Sequence, residues 1–102
     1  MRIRFLYFKD CPNAEPALRL LKKVLKEMKI NEEVETIEIK SEKDAKRYNF
    51  LGSPSIQING IDIEKERKND PPMFGCRVYK TPDGYSGVPP AELIVKAIKR
   101  EK

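Results

Sequence analysis

Histidine and tryptophan are absent from this chain, and cysteine occurs only twice, at Cys11 and Cys76. A tetrahedral zinc site takes four Cys or His ligands, and the chain lacks two of them. Two thiols without His could still bind a soft cation such as copper(I) or mercury(II). The composition therefore excludes a Cys/His zinc centre, and we predict a protein with no resident metal and no other cofactor.

Long hydrophobic runs are also missing, so the sequence predicts no membrane-spanning segment. The opening MRIRFLYF stretch is too short and too quickly charged for a signal peptide. We therefore expect a cytoplasmic protein with no membrane partner. In a reducing compartment, two cysteines 65 positions apart indicate reactive thiol chemistry, or no role, before a structural disulfide.

Charge of one sign is not concentrated anywhere along the chain. The net charge of +5 comes from 21 basic and 16 acidic residues, and Lys and Arg recur with Glu or Asp nearby. A nucleic-acid-binding protein of this size concentrates its basic residues on one face, so we predict no nucleic-acid partner. Abundant Lys, Glu and Ile with a single Gln are typical of thermophile proteins. A length of 102 residues indicates one domain, residues 1–102.

Hydrophobic periodicity predicts alternating strands and helices. A strand over Ile3–Phe8, apolar on both faces, precedes a helix that ends at Asn31. The remaining predicted elements are a strand over Val34–Ile39, a short helix capped by Ser41, strands over Ser55–Ile58 and Ile61–Ile63 joined by Asn59-Gly60, and a last helix opened by Pro89-Pro90. The βαβ connection makes the first two strands parallel, and the tight turn makes the next two antiparallel.

Residues 64–88, named here the 64–88 segment, interrupt this order before the last helix. Glu64–Pro72 is predicted to be a charged, solvated loop, and strands over Cys76–Tyr79 and Tyr85-Ser86 form a small hairpin. The whole pattern is β-α-β-α-β-β-α with an insertion. It predicts an α/β fold with a mixed four-stranded sheet and helices on both faces.

The stretch Cys11-Pro12-Asn13-Ala14, after a strand and at a helix start, resembles the active-site motif of thioredoxins and glutaredoxins. Phe50–Ile56, with Pro54 just before the third strand, resembles the second signature of that superfamily. The element order is similar over residues 1–63 and 89–100. The resemblance implies a thioredoxin-like fold, with the 64–88 segment added to it and similar to a poorly characterised branch of small thioredoxin-like proteins.

The motif departs from the dithiol pattern because Ala14 stands where the second cysteine would be. A disulfide within the motif is therefore excluded, and the resemblance implies a monothiol, glutaredoxin-like Cys-Pro-x-Ala site. The Gly-Phe-Ser sequence that follows the cysteine of iron–sulfur-handling glutaredoxins is absent. An iron–sulfur role is therefore not predicted.

Cys11 is the predicted nucleophile, because backbone N–H groups at a helix start stabilise a thiolate. The alternative interpretation is a small, half-buried apolar residue. Pro12 has an adequate explanation as a helix starter, and only the resemblance implies that Pro12 and Asn13 contact a substrate.

The resemblance further implies a cis Ser53–Pro54 bond beside the thiol, the alternative being an ordinary trans proline. The backbone N–H and C=O of Ser53 would then bind an extended substrate as an added strand. Ser53 and Pro54 are accordingly predicted substrate-binding residues.

Cys76 has two interpretations, a thiol that resolves an adduct on Cys11 or a buried strand residue of the extra hairpin. We expect Cys11 to be accessible at the carboxyl edge of the sheet and Cys76 to be shielded by aromatic neighbours.

The function predicted is a thiol–disulfide redox protein, a possible monothiol oxidoreductase, acting on a protein or small-molecule disulfide through Cys11. Two alternatives stay open. One is a non-catalytic module that binds a soft metal or a peptide, and the other is a redox-inert scaffold.

Overall fold

A computed structural model describes the chain from residue 1 to residue 102. The elements along the chain, numbered in order, are β1 (Ile3–Tyr7), α1 (Ala14–Glu27), β2 (Val34–Glu38), α2 (Glu42–Tyr48), β3 (Ser55–Ile58), β4 (Ile61–Asp62), β5 (Tyr79–Thr81), β6 (Gly84–Ser86) and α3 (Ala91–Glu101), with a 3₁₀ turn at Lys65–Arg67 between β4 and β5. The order of strands and helices predicted from the sequence is confirmed.

Four strands form one sheet in the order β2-β1-β3-β4. β1 runs parallel to β2 and antiparallel to β3, and β4 is antiparallel to β3. The β3–β4 turn places Asn59 and Gly60 at φ values of 54° and 82°, the left-handed conformation that a two-residue hairpin turn of this type requires. The predicted mixed sheet is therefore confirmed, with β1 at its centre.

The two faces of this sheet are covered by different helices. On one face, Ile3 and Phe5 of β1 belong to a cluster of 13 buried residues with the apolar stripes of α1 and α3. On the other face, Leu6 packs with Ala45 of α2 and with Phe50. A central strand that is apolar on both sides needs such a cover on each face, and the predicted three-layer α/β arrangement is confirmed.

Helix α1 ends earlier than its apolar pattern predicts, at Glu27 rather than near Asn31. Lys29 adopts a left-handed φ of 58°, and its N–H donates to Lys26 O. The N–H of Ile30 donates to Leu25 O, which completes a Schellman motif. Backbone capping thus ends the helix while the apolar pattern continues beyond it.

The 64–88 segment departs from the prediction at both of its parts. Its charged first half folds into the 3₁₀ turn, where Arg67 forms ion pairs with Glu64 and Asp70. Its first strand lies further along the chain than predicted, because β5 spans Tyr79–Thr81, pairs with Gly84–Ser86 and leaves Cys76 outside the hairpin.

A membrane-spanning helix is absent, since none of the helices combines the length and the apolar composition that crossing a bilayer requires.

Candidate thiol site

One edge of the sheet collects the loops that carry the predicted site residues. β3 is antiparallel to β1, and Leu6 pairs with Ser55, so the end of β1 meets the start of β3. The Cys11 loop follows β1 at this edge, and Ser53-Pro54 precedes β3 at the same edge. Two stretches more than 40 residues apart in sequence are therefore neighbours.

Cys11 lies in the turn that connects β1 to α1, three residues before the first helical residue. Its N–H donates to Phe8 O at 3.1 Å, and its carbonyl accepts from the N–H of Ala14 at 3.3 Å. These two bonds hold the backbone on both sides of the thiol. Cys11 is placed just before a helix start, as the sequence predicted.

The side chain of Cys11 is shielded from solvent, with 8% of the residue's surface exposed. A cleft of about 360 Å³ opens beside it, lined on its apolar side by Phe5, Tyr7, Ala14 and Leu18 and on its polar side by Lys9, Glu15 and Thr36. Larger grooves lie at the opposite end of the sheet, around Glu32–Val34, and have no thiol in their lining.

Pro12 and Asn13 stand outside α1, because the helix starts at Ala14 and Asn13 is its N-cap. Pro12 is exposed and lies before the cap, so the expectation that it occupies the first helical turn is wrong. Asn13 makes no side-chain capping bond. Its side chain instead packs so closely on Gly87 that a Cβ at that position would collide with the Asn13 amide. The end of the 64–88 segment thus touches the Cys11 motif.

The Ser53–Pro54 peptide bond is cis, which confirms that prediction. Ser53 is completely buried, and its Oγ accepts from the N–H of Phe8 at 3.3 Å. Since Phe8 O in turn accepts from Cys11, a two-bond path joins the Ser53 loop to the Cys11 loop. The proline loop and the motif are therefore brought together.

The backbone of Ser53 is already paired within the chain. Its N–H donates to Gly75 O at 2.8 Å, and its carbonyl accepts from the N–H of Arg77 at 3.1 Å. These bonds make a parallel β-bridge in which Cys76 lies directly opposite Ser53. The expectation that both groups of Ser53 are free for a substrate strand is wrong, because the 64–88 segment supplies that strand itself.

The two thiols differ in exposure in the direction opposite to our expectation. Cys76 is exposed and Cys11 is buried, and both are free thiols. The aromatic shielding predicted for Cys76 fails because Phe74 packs instead against the ring of Phe8, with centroids 6.0 Å apart. Tyr79 turns inward, away from the thiol, and is fully buried. Accessibility therefore favours Cys76 as the thiol that solvent-borne molecules meet first.

Arg77 anchors the residue next to Cys76 and is itself only 3% exposed. Its guanidinium makes a bidentate ion pair with Asp62, with N–O distances of 2.8 and 2.7 Å. It also donates to Glu64 Oε1 at 2.8 Å and to Ser55 Oγ at 2.9 Å. Its Cζ lies 4.3 Å from the centroid of the Tyr79 ring. Bidentate pairs of this kind add geometric specificity as well as energy, so they fix the orientation of the guanidinium.

The charge state of this cluster is set by burial and by its ion pairs. Burial alone lowers the pKa of Arg77, but the hydrogen bonds to Asp62 and Glu64 and the nearby negative charge together outweigh burial, and the net pKa is raised above its ordinary value. Burial raises the pKa of the Tyr79 phenol, and the neighbouring cation of Arg77 opposes this only in part. The Tyr79 hydroxyl donates to Pro54 O at 2.6 Å. A charged Arg77 and a neutral Tyr79 therefore hold the 64–88 segment against the Ser53-Pro54 loop.

Gly52 is required by the close approach of the same segment. Its φ of +110° disfavours any L side chain, and a Cβ there would lie 2.8 Å from Met73 Cε and 2.9 Å from Arg77 Cβ. The segment consequently packs directly on the backbone that precedes Ser53.

Sequence reasoning missed Arg77, Asp62 and Glu64 as residues that shape the site. Asp62 was predicted only as part of a short strand, and Glu64 as part of a solvated loop. A partial signal was present after Gly75, because Arg77 and Tyr79 stand two positions apart and are both buried, as alternate residues of a strand are. The partner of Arg77 lies 15 residues away, and no local pattern identifies it.

Groups of three or more His, Cys, Asp or Glu side chains arranged to hold a metal ion do not occur in the chain.

With this geometry described, comparison with protein families finds one match, to the domain of unknown function DUF2703, over residues 12–98. The chain belongs to the DUF2703 family. The match spans the entire 64–88 segment, so this DUF2703 chain carries the segment as part of the family's domain. The matched region starts at Pro12, directly after Cys11. Neither the curated proteins nor the solved structures include a match to this chain.

Proposed function

We propose that this DUF2703 protein is a thiol–disulfide redox protein with a thioredoxin-like fold, in which Cys11 and Cys76 exchange a disulfide with a substrate. The fold part of the proposal is supported by the β-α-β-α-β-β-α order, by the β2-β1-β3-β4 strand order and by the place of Cys11 after β1. The resemblance of Cys11-Pro12-Asn13-Ala14 to a monothiol motif adds to this support.

One observation carries the functional part, namely that both cysteines are tied to the same buried serine. Phe8, which accepts from Cys11, donates to the Ser53 side chain, while Cys76 is paired with the Ser53 backbone. Ala14 removes the usual second thiol from the motif, and Cys76 supplies a thiol at the same edge. We therefore assign Cys76 the role of partner to Cys11.

The proposed reaction is a two-electron exchange between the substrate disulfide and the two thiols of the protein. A substrate disulfide accepts two electrons and leaves as two thiols, while the Cys11 and Cys76 thiols lose two protons to solvent and become one disulfide. An external dithiol or two monothiols then return the protein to its reduced form. A reducing cytoplasm would supply such thiols.

The decisive experiment is redox titration of the wild type, the Cys11→Ser and Cys76→Ser variants and the double variant against glutathione buffers, followed by non-reducing mass spectrometry. We expect an intramolecular disulfide, two hydrogens lighter than the reduced chain, in the wild type alone. Reduction of a small disulfide should require both thiols. A wild-type chain that never forms the Cys11–Cys76 bond contradicts the proposal, and thiolate-to-copper(I) absorption in that case would favour the metal-binding alternative.

A further inference from the structure

The exposed large apolar side chains of this protein are few, and most surround one thiol. Met73, Phe74 and Val78 are 43%, 42% and 60% exposed, and Tyr85 at 75% is the one such residue outside this region. A thiol with apolar residues two positions before and after it is thus presented to solvent. We name Phe74, Cys76 and Val78 the thiol stripe.

Alternation along the segment explains how the stripe arises. Arg77 and Tyr79 point inward and are buried, so Cys76 and Val78 point outward. The outward face would ordinarily be polar in a surface segment, but here it is apolar on both sides of the thiol. The buried ion pair of Arg77 and the bridge to Ser53 hold the stripe in place. The stripe is therefore a rigid surface, which lowers the entropic cost of binding.

We propose that an external polypeptide disulfide is attacked first by Cys76, with apolar residues next to the substrate cysteine packing on the thiol stripe, and that buried Cys11 resolves the adduct. This inference rests on the proposed function and adds the order of the thiols and the substrate class. It reverses the order of attack implied by the Cys11-Pro12-Asn13-Ala14 motif, in which Cys11 reacts first.

Accessibility decides the order. Cys11 is 8% exposed, whereas Cys76 is open to solvent, and an in-line approach of a polypeptide disulfide needs an open sulfur. The Cys76 thiolate attacks one substrate sulfur, forms a mixed disulfide and releases the other substrate sulfur as a thiolate, which takes up a proton. The Cys11 thiolate then attacks the Cys76 sulfur, forms the Cys11–Cys76 bond and releases the second substrate thiolate.

The dimensions of the stripe decide the substrate class. Phe74 and Val78 are four residues apart, which corresponds to up to about 13 Å of chain, longer than the contact a small thiol makes. A groove of about 300 Å³ leads from Phe74 toward α2 and is lined by Ala45, Pro72 and Met73 together with the charged Glu42 and Lys46. An extended peptide with apolar residues two positions from its cysteine matches this spacing.

The test uses Cys11→Ser, which cannot resolve an adduct, and two peptides whose single cysteine carries the same 2-thiopyridyl disulfide. In one peptide valine stands two positions on either side of the cysteine, and in the other serine does. We expect a stable adduct on Cys76 and a rate about tenfold higher for the valine peptide, because burying apolar surface of this size stabilises the encounter by that factor. The double substitution Phe74→Ser and Val78→Ser should abolish the preference, and the rate with the 2-thiopyridyl disulfide of cysteamine serves as the reference for the reactivity of Cys76 itself. Tyr85→Ser is the matched control and should leave all three rates unchanged.

Three results overturn the inference. Equal rates for the two peptides would identify a small thiol as the substrate, and a covalent dimer through Cys76 would identify a second copy as the occupant of the stripe. Adduct formation on Cys11 of Cys76→Ser, faster than on Cys76 of Cys11→Ser, would restore the motif cysteine as the first nucleophile. Each of these leaves the proposed function standing as long as the wild type forms the Cys11–Cys76 disulfide, so the two failures are distinguishable.

Discussion

The sheet with its three helices and the 64–88 segment are held by different forces. The sheet and helices supply 11 of the 13 residues in the larger apolar cluster, Ile63 directly follows β4, and Tyr79 is the single contribution of the segment. Within the segment, Arg77 and Tyr79 are the buried residues, and Arg77 is held by Asp62 and Glu64. Apolar packing is spread over many contacts, whereas the segment depends on one charged cluster.

The two thiols of the site are therefore positioned by different interactions. Cys11 is positioned by β1 and α1, which the main core orients. Cys76 is positioned by a bridge to Ser53 and by the ion pair of its neighbour Arg77. A substitution in either region should therefore act on a different thiol.

The largest expected effect is that of Asp62→Ala, which leaves the buried Arg77 cation without its bidentate partner. Removing one member of a buried pair costs about 3–5 kcal/mol, so the free energy of unfolding should fall by that amount in urea denaturation. The double variant Asp62→Leu with Arg77→Met should lose less, because no buried charge is left unpaired. The matched control, Asp70→Ala, breaks the half-exposed Arg67–Asp70 pair and should cost about 1 kcal/mol or less. Equal losses for Asp62→Ala and Asp70→Ala would refute the anchoring role.

Leu21→Ala probes the other region, since Leu21 is fully buried in the main cluster. Cavity formation should lower the free energy of unfolding by about 2–5 kcal/mol. Under native conditions the rate at which iodoacetamide labels Cys76 should stay at its wild-type value, because the bridge to Ser53 is untouched. A changed labelling rate at Cys76 together with the lower stability would mean that the main core and the 64–88 segment are coupled.

Gly52→Ala should have an intermediate effect that falls on the contact between the regions. Its positive φ costs about 1–3 kcal/mol for an L residue, and the new Cβ would also push against Met73 and Arg77. Gly84→Ala is the matched control, with a φ of +132° and no atom within 4 Å of the new Cβ. Gly52→Ala should therefore destabilise more than Gly84→Ala and speed hydrogen exchange at the Arg77 amide. Identical behaviour of the two variants would show that the segment does not rest on Gly52.

Tyr79→Phe should have the smallest effect at neutral pH, about 1 kcal/mol, from loss of the hydrogen bond to Pro54 O. The pH dependence is more informative. The folded protein holds the phenol proton more tightly than the unfolded chain, whose pKa is near 10.0. The stabilisation is complete below pH 10.0 and is lost as pH rises above that value, because the unfolded state ionises first. Urea denaturation from about pH 8 to pH 11 should show the wild type losing stability faster than Tyr79→Phe. Parallel profiles would contradict the burial of a neutral phenol.

Local chemistry along the sequence was sufficient to predict most of the fold. The alternation in Ile3–Tyr7, the Asn59-Gly60 turn and the Ser41 cap each act over a few residues, and the structure has all three. The same local signals predict where β3 starts and that β4 pairs with it antiparallel. The handedness of the βαβ connection predicts the parallel pairing of β1 with β2.

The site was predictable only in part. Cys11 could be placed before a helix because strand, turn and helix are contiguous in the chain. The exposure of Cys76 could not be predicted, since it depends on how the 64–88 segment folds back onto Ser53, and the burial of Cys11 depends on packing that no local pattern shows. The end of α1 was missed for a related reason, because a left-handed Lys29 is selected by backbone bonds that no apolar pattern encodes.

The sequence by itself determined the order of the strands and helices, the mixed sheet and the place of Cys11, because these depend on periodicity, turn residues and caps within short stretches. Only the tertiary structure decided that Cys76 lies opposite Ser53 and that Arg77 closes on Asp62. Those pairings join residues 15 to 23 positions apart through one buried charge and one backbone bridge. Such contacts depend on the geometry of the folded chain, because a buried arginine can bind any carboxylate that the fold brings within reach.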